Sequence, residues 1–355
     1  EESEIFATIA YDSATVDPED GEKGNLFVFN IQPLMSNIKS RIAHIAFNAN
    51  GRTDNDINEI IKQIVKAGEE NNVHFVFIAT DGETGTNYIH EKFRRFIEQI
   101  EPMDFDTIIE KIQAYNDLIP VSDWLHLLKN LRKRFASNII LMFEGAEAIN
   151  PCEIGELLEL PDIVLNAKGA SSMRDDIALY LFNSKNLKIL SDNEKFCAFA
   201  FLLPFTLVTI AIQSENLKTD ARYVLIKIAF NIIIRLKEKA EKLRSKKSKK
   251  HPEAEVKFAQ NITCTRTINT ILALGFAMKF YRQNLSNSRM FTHIVEFIFG
   301  NMRRLSLWKD KSQVAVAYLA KQQLSKEILK KYKLDSPHIR GRIDCAEDSI
   351  DELTK

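Results

Sequence analysis

Strand-like apolar runs cluster in the first 150 residues of this 355-residue chain, and that confinement limits the available folds more than any other feature. Five runs read as strands: Ile5 to Tyr11, Asn25 to Ile31, Ile42 to Phe47, Val73 to Ala79 and Asn138 to Phe143. Short polar segments join the first three, the pattern of an antiparallel meander. Helical periodicity fills the remaining gaps. Ile57, Ile60, Ile61, Ile64 and Val65 recur at helical spacing; Ile89, Phe93, Phe96, Ile97 and Ile100 form a second stripe; Trp124, Leu127, Leu128, Leu131 and Phe135 form a third. This order predicts an α/β fold, a mixed sheet with flanking helices.

Beyond about residue 150 the pattern changes. Strand signals are few from 151 to 262, where Tyr223 to Ile234 reads as a buried helix that runs into a basic stretch, Lys242 to Lys250. That stretch reads as a solvated linker, a phosphate-backbone contact or a nuclear-import signal. Residues 263–333 look helical, and 334–355 form a loosely ordered tail. The apolar run Phe196 to Ile212 contains Pro204 and is shorter than the ~20 residues a membrane span needs. A buried helix, with no membrane partner, is the expectation.

Charge and cysteine content narrow the function classes. Lys plus Arg number 48 and Asp plus Glu 48, so no global basic field exists, and any nucleic-acid surface must be a local patch. With 12 glycines, Gly-rich phosphate loops are not expected. Cys152, Cys197, Cys264 and Cys345 form no CxxC pair, which argues against a zinc site or a disulfide framework and fits a reducing intracellular compartment. The first residue is Glu, with no signal-like stretch after it, so the chain reads as a fragment.

Three acids stand out. Asp12 is expected to end the first strand and Asp81 the fourth, and strand ends of an α/β sheet open onto a shared crevice. Taken alone, either Asp also reads as a turn former or a helix N-cap. Glu296 lies in an apolar helical stretch, Thr292 to Arg304, where a carboxylate is costly unless paired or bound to a cation. A surface Glu bridged to a nearby Arg is the other reading.

Asp12, Asp81 and Glu296, in this order, resemble the DDE set of RNase H-like transposases. Thr80-Asp81-Gly82, followed after Asn87 by a helix, strengthens the likeness. So does Ser122-Asp123-Trp124-Leu125-His126-Leu127-Leu128-Lys129-Asn130-Leu131-Arg132, which is similar to the "D-x-x-H-L-x-K-x-x-R-N" helix of P-element-like (THAP-associated) transposases. Glu296-Phe297-Ile298-Phe299-Gly300-Asn301-Met302-Arg303 resembles that family's "E-x-x-F-G-x-x-R" helix. The sequence departs from the family at Lys133, where Asn is usual, and at Phe297, where Asn is common after the Glu.

The resemblance implies an RNase H-like core made of residues 1–150 and 263–333, interrupted by an α-helical insertion at 151–262. Such an insertion accounts for the separation of 215 positions from Asp81 to Glu296. It further implies cut-and-paste DNA transposition in the nucleus, with phosphodiester hydrolysis and strand transfer supported by two Mg²⁺ or Mn²⁺ ions. Asp12 would bridge the ions, and Asp81 and Glu296 would each hold one. His126, Lys129, Arg132 and Arg303 would steady the site or touch DNA. Transposon ends and target DNA are the implied partners, with a homo-oligomer assembled on them. P-element relatives use the insertion in guanine-nucleotide binding, so GTP enters by analogy alone; no G-x-x-x-x-G-K-[ST] loop is present. The alternatives are a domesticated relative that binds DNA or protein without chemistry, an unrelated α/β nuclease or phosphatase, and a helical scaffold.

Overall fold

The computed structural model describes residues 5–16, 24–34, 40–48, 54–80, 87–101, 104–137, 148–166, 174–214, 217–246, 262–281 and 290. Five strands, β1 (Ile5–Val16), β2 (Gly24–Pro33), β3 (Arg41–Asn48), β4 (Val73–Thr80) and β5 (Ile119–Ser122), make one mixed sheet in the order β3-β2-β1-β4-β5. β4 runs parallel to β1, with Tyr11 opposite Thr80, and β5 runs parallel to β4, with Thr80 opposite Ser122. The links joining β1, β2 and β3 are too short for the crossover that a parallel pair needs. At the hairpin, Leu34 N donates to Phe6 O at 2.9 Å and the Tyr11 and Phe29 rings lie 4.7 Å apart. Both pairings give one register, so Thr8, Ala10 and Asp12 share a sheet face with Asn30 and Gln32.

The strand expected at 138–143 lies outside the described residues. The strand beside β4 is Ile119–Ser122, which periodicity alone passes over. It is four residues long, too short for an alternation pattern, and contains Pro120. Proline cannot donate to a ladder and is tolerated where a strand has one partner. All four residues are buried.

Helices α1 (Asp54–Glu69) and α2 (Asn87–Ile97) flank β4 in the chain, and α3 (Phe105–Lys111) precedes β5. The other described helices are α4 (Trp124–Ser137), α5 (Pro151–Leu157), α6 (Asp162–Asn166), α7 (Asp175–Leu181), α8 (Ser184–Asp192), α9 (Phe196–Gln213), α10 (Thr219–Lys246) and α11 (Ile262–Phe280). Short helices begin at side-chain caps. Asp104 accepts from Thr107 N, Asn150 from Cys152 N and Asn183 from Asn186 N, each relieving an orphan amide of the first turn.

α9 is apolar on every side, as a helix surrounded by others should be. It is long and apolar enough to cross a membrane, yet it packs on α8 and α10 with half of its residues buried. Phe201, Phe205 and Val208 are enclosed there. The Trp124 indole N–H donates to Thr209 Oγ1 at 3.0 Å, and that hydroxyl donates to the Phe205 carbonyl at 2.8 Å, so α4 is tied to α9.

One continuous apolar core joins β4 and β5 to α2, α3, α4 and the helices of 151–280. Chain contacts gather Glu1–Asp12, Val28–His44 and Arg52–Glu296 into one unit, so the helical stretch is not walled off from the sheet. Of the second unit, the described part is the far ends of β1, β2 and β3, at 13–16, 24–27 and 45–48.

α11 crosses α3 closely at Gly275. A Cβ there would meet Phe105 Cζ at 2.4 Å and Ile109 Cδ1 at 3.1 Å. The Phe105 ring is itself held against Tyr223 and Phe230, so it cannot swing aside. Gly275→Ala gains roughly 1 kcal/mol of helix propensity. Overpacking outweighs this, and the variant should lose about 1–2 kcal/mol net by urea denaturation.

Candidate active site

The two parallel ladders, β1 with β4 and β4 with β5, stop in step. Tyr11, Thr80 and Ser122 lie side by side across β1, β4 and β5, and each is followed in the chain by an aspartate: Asp12, Asp81 and Asp123. The register of the parallel ladder, set by the buried runs of the three strands, therefore aligns the three places where an acid follows.

Asp12 is 4% exposed. It does not end its strand, as the sequence suggests: β1 continues to Val16. What ends at Tyr11 is the ladder with β4, while β1 goes on as one arm of the meander. The face that carries Asp12 also buries the polar side chains of Thr8, Asn30 and Gln32. Asp81, Glu296 and Arg303 lie outside the described residues. Among the described residues no group of three His, Cys, Asp or Glu side chains is gathered to hold a metal.

Asp123 is committed to structure. It is 1% exposed; its N–H donates to Thr80 O at 3.0 Å, and its Oδ1 accepts from His126 N at 3.0 Å, capping α4. The polar side of α4 is not a solvated face. His126, Asn130 and Lys133 are half-buried, and Lys129 and Arg132 are buried. Lys129 Nζ pairs with Asp175 Oδ1 of α7 at 3.0 Å. Arg132 Nη1 donates to the Val164 carbonyl of α6 at 2.8 Å, and burial lowers its guanidinium from the ordinary value. Both cations therefore serve to hold α6 and α7 on α4, and contact with DNA phosphates does not fit their burial.

Sequence reading found no role for His90, which proves to be the hub of a buried polar cluster just behind the strand ends. The ring is 1% exposed on α2. Nε2 lies 3.4 Å from Thr80 Oγ1 and 3.3 Å from Ser122 Oγ, and Nδ1 lies 3.3 Å from Asn269 Nδ2 of α11. Asn269 Nδ2 also donates to the His90 carbonyl at 2.9 Å, Thr270 Oγ1 accepts from Ser122 N at 2.9 Å, and Arg266 Nη2 donates to Asn87 Oδ1 at 2.6 Å. The signal was present in α11. Arg266, Thr267, Asn269 and Thr270 crowd the N-terminal half of a helix that is apolar from Ile271 to Met278, and all four are buried.

No family model, curated protein or solved structure gives a significant match to the chain.

Burial, and secondarily the Arg266 charge, lowers the His90 pKa from 6.5 to about 3. The folded state therefore keeps the ring neutral, while the unfolded chain takes up a proton below pH 6.5. The unfolded state binds more protons between these values, so stability is complete above 6.5 and falls as the pH drops towards 3. The slope in this window is about 1.4 kcal/mol per pH unit. Denaturant melts at pH 7, 6 and 5 should show wild type losing stability more steeply than His90→Gln.

Proposed function

We propose that the protein is the catalytic core of a DDE-type DNA transposase of the P-element-like kind, an RNase H-like nuclease and strand-transfer enzyme acting in the nucleus. The observation that carries this reading is the alignment at the end of the parallel ladder. Asp12 follows Tyr11, and Tyr11 is the register partner of Thr80, the residue before Asp81. Asp12 and Asp81 are 69 positions apart in sequence, and the residues that precede them are paired across the ladder. The strand order β3-β2-β1-β4-β5, with a meander followed by two parallel strands, supports the RNase H-like part of the proposal. So does the course of the chain after α4, whose described elements up to Lys246 are all helices.

The donor set fits a hard divalent cation. Asp12, Asp81 and Glu296 offer carboxylate oxygens, the ligands that Mg²⁺ and Mn²⁺ prefer. Such ions, when bound, activate an oxygen nucleophile and relieve charge on the leaving oxygen. The contribution of the chain is to hold Asp12 within a strand, almost out of solvent. Lys129 and Arg132 contribute by anchoring the helices around α4.

Incubating the protein with DNA bearing the element's ends tests the proposal. Strand cleavage and transfer should require Mg²⁺ or Mn²⁺ and stop on chelation. A preparation that binds this DNA but never cuts it would mark a domesticated relative and overturn the enzymatic reading.

A further inference from the structure

We propose that His90 is a positioning residue whose neutral ring, oriented by Asn269, fixes the ends of β4 and β5 through the Thr80 and Ser122 hydroxyls. The catalytic consequence rests on the reading of Asp81 as a cleavage ligand, since Thr80 is its immediate neighbour in the chain.

The tautomer follows from the contacts. The His90 carbonyl can only accept, so the Asn269 atom at 2.9 Å from it must be the amide NH₂. The same NH₂ lies 3.3 Å from Nδ1, which must then be the accepting nitrogen. In a neutral ring the proton sits on Nε2 and points at Thr80 Oγ1 and Ser122 Oγ, 3.4 and 3.3 Å away. One ring therefore links three elements, β4, β5 and α11, from a fourth, α2. A buried polar network satisfied in this way admits one arrangement of its members, and loosening it would let the strand ends shift against each other.

Packing and hydrogen bonding of the His90 ring can be separated, because each end of the ring has its own mimic. In His90→Gln the side-chain amide NH₂ reaches the position of Nε2 and can donate to the hydroxyls. In His90→Asn the carbonyl oxygen replaces Nδ1 and can accept from Asn269, but nothing reaches β4. Thr80→Val removes the hydroxyl and keeps the shape.

The experiment compares single-turnover cleavage rates, DNA affinity and thermal melting of these three variants with wild type, and records the ring nitrogens of His90 by ¹⁵N NMR. His90→Asn and Thr80→Val should cut ten- to hundredfold more slowly, as losses of outer-shell partners do. Their DNA affinity should stay within about twofold, and His90→Gln should restore most of the rate. The spectrum at pH 7 should show a neutral ring protonated at Nε2. A folded His90→Asn that cuts at the wild-type rate, or a ring protonated at Nδ1, would overturn the proposal. The NMR readout needs no activity, so an Nε2–H ring in a protein that never cuts DNA would sink the transposase reading and leave the oriented ring standing.

Discussion

Asp12→Asn should reduce metal-dependent strand cleavage on the order of a thousandfold, equivalent to about 4 kcal/mol of transition-state stabilisation, while the protein melts no lower than wild type. The two halves of this expectation have separate physical grounds. Asparagine has nearly the shape of aspartate, so a side chain only 4% exposed keeps its packing. It loses one negative charge, and with it the ability to hold a hard cation as a carboxylate does. A buried charge is expensive to keep out of water, and the asparagine amide can still form hydrogen bonds, so the two effects offset each other in the fold. Asp81→Asn and Glu296→Gln should show the same loss of cleavage. Cleavage and melting curves on the same preparations check both halves, and wild-type activity in folded Asp12→Asn would remove this residue from the proposed centre.

Arg132→Ala should behave in the opposite way. It should cost about 3–5 kcal/mol of folding stability, and among molecules that remain folded the salt dependence of DNA binding should be unchanged. The Arg132 side chain is 1% exposed, and Nη1 holds the Val164 carbonyl at 2.8 Å. Truncation leaves that carbonyl without its partner inside the core and opens a cavity the size of a long side chain, two costs that add. A residue that touches a phosphate would instead lower the logarithmic salt slope by about 1 while leaving stability nearly intact. Urea melts give the first quantity, and binding titrations at several salt concentrations give the second. Lysine would not substitute well, because a single ammonium cannot reproduce the planar fork of guanidinium donors.

These two residues show how differently sequence and structure bear on a motif. The spacing Asp123, His126, Lys129, Arg132 was legible as one pattern on one helix. Its meaning depended on what covers that helix. α6 and α7 come from a segment more than 25 residues further on, and their Val164 carbonyl and Asp175 carboxylate are what turn two apparent surface cations into buried ties. Nothing in the period of α4 reports the neighbours on its polar side.

The sequence by itself determined the meander, the placing of β4 between two helices and the helical character of everything described after α4, because periodicity and apolar runs are local properties of the chain. It also carried Asp12, since an acid directly after a buried apolar run is visible without any fold. The tertiary structure alone decided that Ile119–Ser122 is a strand, because its four residues and Pro120 carry too little pattern and the pairing is supplied by β4. Only the structure, too, made His90 a hub: its partners Thr80, Ser122 and Asn269 are 10, 32 and 179 residues away, and hydrogen bonds across such separations exist only once the chain is folded.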